Sequence, residues 1–316
     1  MNHPLGKDLR IIATGLQFPE GPIAMADGSV LLVELVRQTL SRVSSDGTID
    51  VIAHCGGGPN GAALGPDGCV YICNNGGFDD ETDLAGFFAN QGMPRGYVGG
   101  SIQTVNLNNG NVDTLYSECN GHPLRAPNDI VFDADGGFWF TDMGKSWPRY
   151  HDHGSIFYAT LNGSSITEVV HPMITPNGIA LSPGGQHLVV AETTTGRVYK
   201  WDIDSPGKLS ASLGQQPKAS LVNKLGPPSN FDSLAFAADG TICVATLGSR
   251  GGITEIQPNG DQSTFLTGDA LTTNICFGGS LMQTAFITCA QTGTLRSTRW
   301  NRPGLKLNFQ DSLSAP

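Results

Sequence analysis

Six short stretches of this chain carry an oxygen-bearing side chain at the same point of one recurring phrase. Pro19-Glu20-Gly21, Pro59-Asn60-Gly61, Pro127-Asn128-Asp129 and Pro176-Asn177-Gly178 are clear copies. Looser ones begin at Phe231-Asp232-Ser233 and Asn274-Ile275-Cys276. The aligned position therefore holds two carboxylates, Glu20 and Asp232, and four amides, Asn60, Asn128, Asn177 and Asn274. Drawn together, they would offer hard oxygen donors with no thiol or imidazole. That donor chemistry suits Ca²⁺, Mg²⁺ or Mn²⁺, with Zn²⁺ as a further candidate. Two carboxylates neutralise one divalent ion, and amide oxygens fill coordination sites without adding charge. Asn is also an ordinary turn residue, and Asn60 and Asn274 are read that way. Glu20 is a poor turn former, which argues for a ligating role.

Whether the six positions meet depends on the elements around them. Each phrase runs into a short apolar stretch, then a turn such as Asp27-Gly28, Asp67-Gly68 or Asp135-Gly136, then a second apolar stretch. Apolar runs separated by Asp-Gly are paired strands joined by tight turns. The copies recur at irregular steps of roughly 40 to 70 residues, with about four strands in each, which is the pattern of propeller blades. The fold class expected is all-β: a six-bladed β-propeller with four antiparallel strands per blade, forming a single domain over 1–316. The sixth blade lacks a fourth strand, and Leu9-Arg10-Ile11-Ile12-Ala13 has no partner in the first. The N-terminal strand is therefore expected to complete blade six and close the ring, removing an open edge. The tail after Trp300 is expected to pack loosely outside.

In a propeller the first strand of each blade lines the central channel. The repeated polar residue, in the loop just before it, would then stand at one channel mouth. Loops between the second and third strands open on that face. The longest, 74–100, holds aromatics and glycines and is expected to be a lid. The next runs from Asp142 to His153 and contains Lys145, Trp147, Arg149, Tyr150 and His151. The loop entering blade three adds His122 and Arg125.

Bulk properties agree with a compact enzyme or binding protein. The 316 residues are 39% hydrophobic, and 42 glycines and 19 prolines suit many turns. A net charge of −10 disfavours nucleic acid as a partner. No apolar run reaches the length of a membrane span and no leader is visible, so a cytoplasmic location is expected with no membrane partner. The seven cysteines form no zinc-type Cys-x-x-Cys pairing and fall mostly in apolar runs, as buried free thiols.

Pro19-Glu20-Gly21-Pro22, Pro127-Asn128-Asp129, Thr141-Asp142, Pro176 to Ser182 and Asp232-Ser233 together resemble the senescence marker protein/gluconolactonase family, which includes regucalcin and bacterial sugar lactonases. The resemblance runs in order along nearly the whole chain. It implies a six-bladed propeller holding one divalent metal ion, with Ca²⁺ the first candidate, in the channel mouth. Glu20, Asn177 and Asp232 would be ligands. Asn128 would be a further ligand or a substrate contact, and Asp232 the acid/base residue. The activity implied is hydrolysis of a small-molecule lactone, a sugar lactone such as gluconolactone first. Arg125, Asp142 and His151, on the loops of the same face, are the expected substrate contacts. Two departures bear on the substrate. Regucalcin-like members carry Arg where this chain has Ala126, with Arg125 one position back, and their counterpart of the 74–100 loop is short. Alternatives on the same site are aryl-ester or organophosphate hydrolysis, and a non-catalytic metal-binding propeller.

Overall fold

The computed structural model describes residues 8–78, 94, 96–147, 149–211, 216–223 and 230–310. Most of the lid expected over 74–100 lies outside them. The described residues form six antiparallel blade sheets and two short two-stranded ribbons, Glu118–Cys119 with His122–Pro123 and Ser146–Trp147 with Tyr150–His151. Blade one is Pro19–Ala24, Val30–Glu34, Thr39–Val43 and Ile49–His54. Blade two is Pro59–Leu64, Val70–Asn74, Ser101–Val105 and Val112–Tyr116, and blade three is Pro127–Phe132, Phe138–Asp142, Gly154–Ala159 and Ile166–Met173. Blade four runs from Pro176–Leu181 through His187–Glu192 to Arg197–Ser205, on which Lys208–Leu209 and Ser220–Leu221 both pair. Blade five is Asn230–Phe236, Ile242–Leu247, Gly252–Ile256 and Gln262–Leu266. Blade six is Thr272–Gly278, Thr284–Cys289 and Thr294–Arg299, completed as expected by the N-terminal strand Arg10–Thr14.

The inner strand of each blade touches the inner strand of the next, around a closed ring that returns from blade six to blade one. The chain is thus a six-bladed β-propeller. Six apolar clusters fill it, one between each pair of neighbouring blades. Trp139, Tyr71, Phe138 and Phe140 are among its largest fully buried side chains. All seven cysteines are free, and six are buried. Among the described residues no helix is long and apolar enough to cross a membrane.

Two sequence expectations change. The repeated polar residue is inside the inner strand, not in the loop before it. Proline is tolerated as the first residue of a strand, and Pro59, Pro127 and Pro176 pair with Asn74, Asp142 and Glu192. Each inner strand then carries one extra residue relative to its partner, as between Pro127 and Ile130 or Phe231 and Leu234. Such a bulge re-aims a side chain and bends the strand. The tail does not pack loosely over 301–310, its described part. It crosses the face at the turn end of the inner strands, where the Ala237–Gly304 bridge, Asn308 Nδ2 donating to Phe132 O, and Gln310 Nε2 donating to Ala24 O and Phe277 O hold it. Those carbonyls lie where each inner strand ends and its backbone is left for another partner.

Candidate metal centre and active site

At the other end of the channel is a cavity of about 220 Å³. Glu20, Asn60, Asn128, Asn177 and Asp232, five of the six repeated positions, line it. The bulge in every inner strand explains why equivalent residues converge. Glycine after the polar residue lets neighbouring strands close up: a Cβ on Gly178 would stand 2.6 Å from Leu234 N and 2.7 Å from Ser233 Cα. Asn60, read from the sequence as a turn residue, is part of this wall.

Glu20 is 2% exposed and Asp232 6%. Burial, then the charge of Asp232, raises Glu20 well above the usual carboxylate range. Asp232 is pushed up to about 7 by burial, against a hydrogen bond from the Asn177 amide. Two facing buried carboxylates repel unless something positive lies between them. Glu20 Oε2 accepts from Gly21 N at 2.8 Å and Asn274 Nδ2 at 2.9 Å. Asn274 is therefore a bracket for Glu20, lying behind the cavity wall. Asn177 Nδ2 donates to Thr193 Oγ1 at 3.1 Å, and Thr141 Oγ1 donates to Asn177 O at 2.6 Å, fixing its backbone from blade three. Asn128 Oδ1 is buried with no hydrogen-bond partner. A buried orphaned acceptor beside two paired carboxylates is what a cation-sized ligand would satisfy. Among the described residues no group of three or more His, Cys, Asp or Glu is arranged for a metal ion, so the donor set depends on the amides.

A third carboxylate, Asp129, lies below this ring. It accepts from Ile130 N at 2.9 Å and Ile179 N at 3.3 Å, and burial raises it to about 7. The sequence pattern alone assigns Asp129 no role. Its place where other copies have Gly was the available signal.

The proposed substrate contacts divide. His151 lines the cavity, with Nδ1 2.9 Å from Ser146 Oγ, and burial holds its imidazole below the usual range. Asp142 is outside the lining. Its oxygens accept from Arg125 N and Ala126 N, both at 2.7 Å, and from Gly144 N at 3.0 Å. It belongs to a second repeated series at the ends of the second strands. Glu34 accepts from Gln17 N, Asn74 from Gly58 N and Glu192 from Ile174 N in the same way, each tying down the segment that leads into its own inner strand. The Arg125 side chain is 3.9 Å from Asp152 and also outside the cavity lining.

Phe18 and Thr175, each just before a phrase, have φ of 59° and 47°. This is a strained conformation for a non-glycine, concentrated at functional sites. Both side chains line the cavity, with Thr175 Oγ1 2.7 Å from Thr194 Oγ1.

The family described as SMP-30/Gluconolactonase/LRE-like region matches residues 18–291. The chain belongs to that family. Among curated proteins it is similar to lactonase drp35 of Staphylococcus haemolyticus, 27% identical over 243 residues, covering 76% of this chain and 66% of that protein. Lactonase drp35 of Staphylococcus epidermidis is 32% identical over 122 residues, 38% of this chain and 35% of that protein. The matches thus span just under two thirds, or less, of these relatives. Two solved structures share the fold. A gluconolactonase of Xanthomonas campestris has a TM-score of 0.72 at 20% identity, covering 93% of this chain and 90% of that one. The calcium-binding protein regucalcin of Agrobacterium tumefaciens has a TM-score of 0.71 at 17% identity, covering 94% and 97%.

Proposed function

We propose that this SMP-30/gluconolactonase-family propeller is a divalent-metal-dependent lactonase. The observation that carries the reading is the buried Glu20–Asp232 pair sharing one cavity with the orphaned Oδ1 of Asn128. Glu20, Asn128, Asn177 and Asp232 would hold one metal ion, Ca²⁺ first and Mg²⁺, Mn²⁺ or Zn²⁺ next. When bound, that ion supplies Lewis acidity toward the lactone carbonyl and its oxyanion. The lactonase and gluconolactonase relatives support the ester chosen.

The chain's own groups do the rest. Asp232 takes a proton from the water that attacks the carbonyl carbon, and delivers it to the ring oxygen as the C–O bond breaks. The product is the open hydroxy acid. Asn60, Thr193 and Thr194 are polar groups in the wall that can orient substrate hydroxyls. His151, neutral at physiological pH, adds a hydrogen bond whose direction Ser146 sets. A sugar lactone such as gluconolactone suits this polar side. The apolar part of the lining, Phe18, Leu35, Phe78 and Leu247, favours aryl esters as a second reading.

The test is a panel of sugar lactones and aryl esters, each with Ca²⁺, Mg²⁺, Mn²⁺ or Zn²⁺, on the wild type and Asp232→Ala. Lactone turnover that requires the ion and disappears in the variant is expected. Full activity of Asp232→Ala with metal bound would refute the assignment.

A further inference from the structure

Lys145 is the one Lys or Arg among the described residues that line the cavity. Its backbone is pinned on both sides by Asp152: Lys145 N donates to Asp152 Oδ2 at 3.3 Å, and Asp152 N donates to Lys145 O at 2.9 Å. The residue is 3% exposed. Nζ donates to Gly77 O at 2.7 Å and lies 5.3 Å and 5.1 Å from the ring centroids of Phe78 and Tyr97. Aromatic faces stabilise a cation without using its charge-assisted hydrogen bonds. Among the described residues no carboxylate is within ion-pairing distance of Nζ. The acid that acts on it, Asp142, already accepts three backbone N–H groups. Burial lowers the amine to about 8, so it stays mainly charged at neutral pH. A desolvated, positionally fixed ammonium with one conventional hydrogen bond among the described residues is incomplete. The net charge of −10 means that no general field draws anions to this protein, so selectivity for one must be local.

Resting on the lactonase reading, we infer that Lys145 is a specificity residue whose ammonium binds an anionic substituent, and that the preferred substrate is a lactone carrying a carboxylate. The substituent would reach the Lys145 wall while the ring carbonyl faces Glu20 and Asp232. A neutral lactone leaves the ammonium without its counter-ion.

The test compares 5-oxotetrahydrofuran-2-carboxylate with its carboxamide, which has the same ring and no charge. In the wild type, kcat/KM for the carboxylate should exceed that for the amide by about 30-fold, the size of one charge-assisted hydrogen bond. In Lys145→Met, and in Lys145→Gln as a second variant, the ratio should fall to about 1. Equal turnover in the wild type would overturn the inference and leave the lactonase reading intact. So would variants that slow both substrates equally, because that is the signature of a latch on Gly77 alone. If neither lactone is hydrolysed, the sugar-lactone panel decides the lactonase reading, and calorimetry with tetrahydrofuran-2-carboxylate and its amide decides Lys145 separately. Binding of the carboxylate that is at least about tenfold tighter than the amide and is lost in Lys145→Met supports it, and equal affinities overturn it.

Discussion

Asn274 and Glu20 are 254 positions apart in the chain, yet Asn274 Nδ2 donates to Glu20 Oε2 at 2.9 Å. The bond crosses the junction where blade six meets blade one. Next to it, Thr273 Oγ1 donates to Pro19 O at 2.9 Å. Closure of the ring and aim of the first carboxylate are therefore one event. Asn274→Ala should lower divalent-ion affinity by about 10- to 100-fold, the usual effect of losing a group that orients a ligand. Calorimetric titration with Ca²⁺ checks this. Unchanged affinity would mean that Glu20 does not need the bracket.

Stability should depend on pH and metal together. Glu20 and Asp232 are both raised in the folded state, so folding is favoured while they are protonated. Without metal, stability should be greatest below the unfolded carboxylate range near 4 and fall as pH rises through about 7, where Asp232 ionises. A bound divalent ion should reverse that trend, because it requires the deprotonated pair. Melting curves between pH 5 and 8, with chelator or with Ca²⁺, read both signs.

Gly178→Ala places a methyl against the backbone of Ser233 and Leu234. Backbone cannot yield as a flexible side chain does. A loss of about 2 kcal/mol or more is expected by urea denaturation, with weaker metal affinity because Asn177 and Asp232 flank the contact.

Gln310→Ala removes two hydrogen bonds and leaves the carbonyls of Ala24 and Phe277 without this donor. A loss of about 1 to 3 kcal/mol is expected. Deleting 301–316 should cost more, since the Ala237–Gly304 bridge and the Asn308 contact to Phe132 also go. Metal affinity should change little, because the tail is at the far end of the channel.

Much of this was legible because a repeat reports one geometry several times. Pro127-Asn128 alone is a turn, whereas six copies make a ring, and the unpartnered strand at Leu9–Ala13 pointed to closure. Pairwise roles were not legible. Asn274 and Asn128 occupy equivalent positions, but Asn274 spends its amide on Glu20 while Asn128 Oδ1 is left without a partner. Only the packed structure separates them. Asp142 looked available because an acid opens a loop there. It is one of a bracket series with Glu34, Asn74 and Glu192, and that series was visible in the sequence as the polar end of the second strand in blades one to four. The tail misled because Pro303, Gly304 and nearby polar residues suggest solvent, while several of its partners, Phe132 O, Ala24 O and Phe277 O, are backbone carbonyls that no side-chain pattern announces.

The central claim is that lactone hydrolysis at the Glu20–Asp232 cavity depends on a divalent ion. The most direct measurement is acid release from gluconolactone, followed in a pH-stat, by chelated protein before and after addition of Ca²⁺, Mg²⁺, Mn²⁺ or Zn²⁺. Turnover that is absent in the chelated protein and restored by at least one of these ions is the predicted result. Equal turnover with and without metal, or none with any of the four ions across the lactone panel, would contradict it.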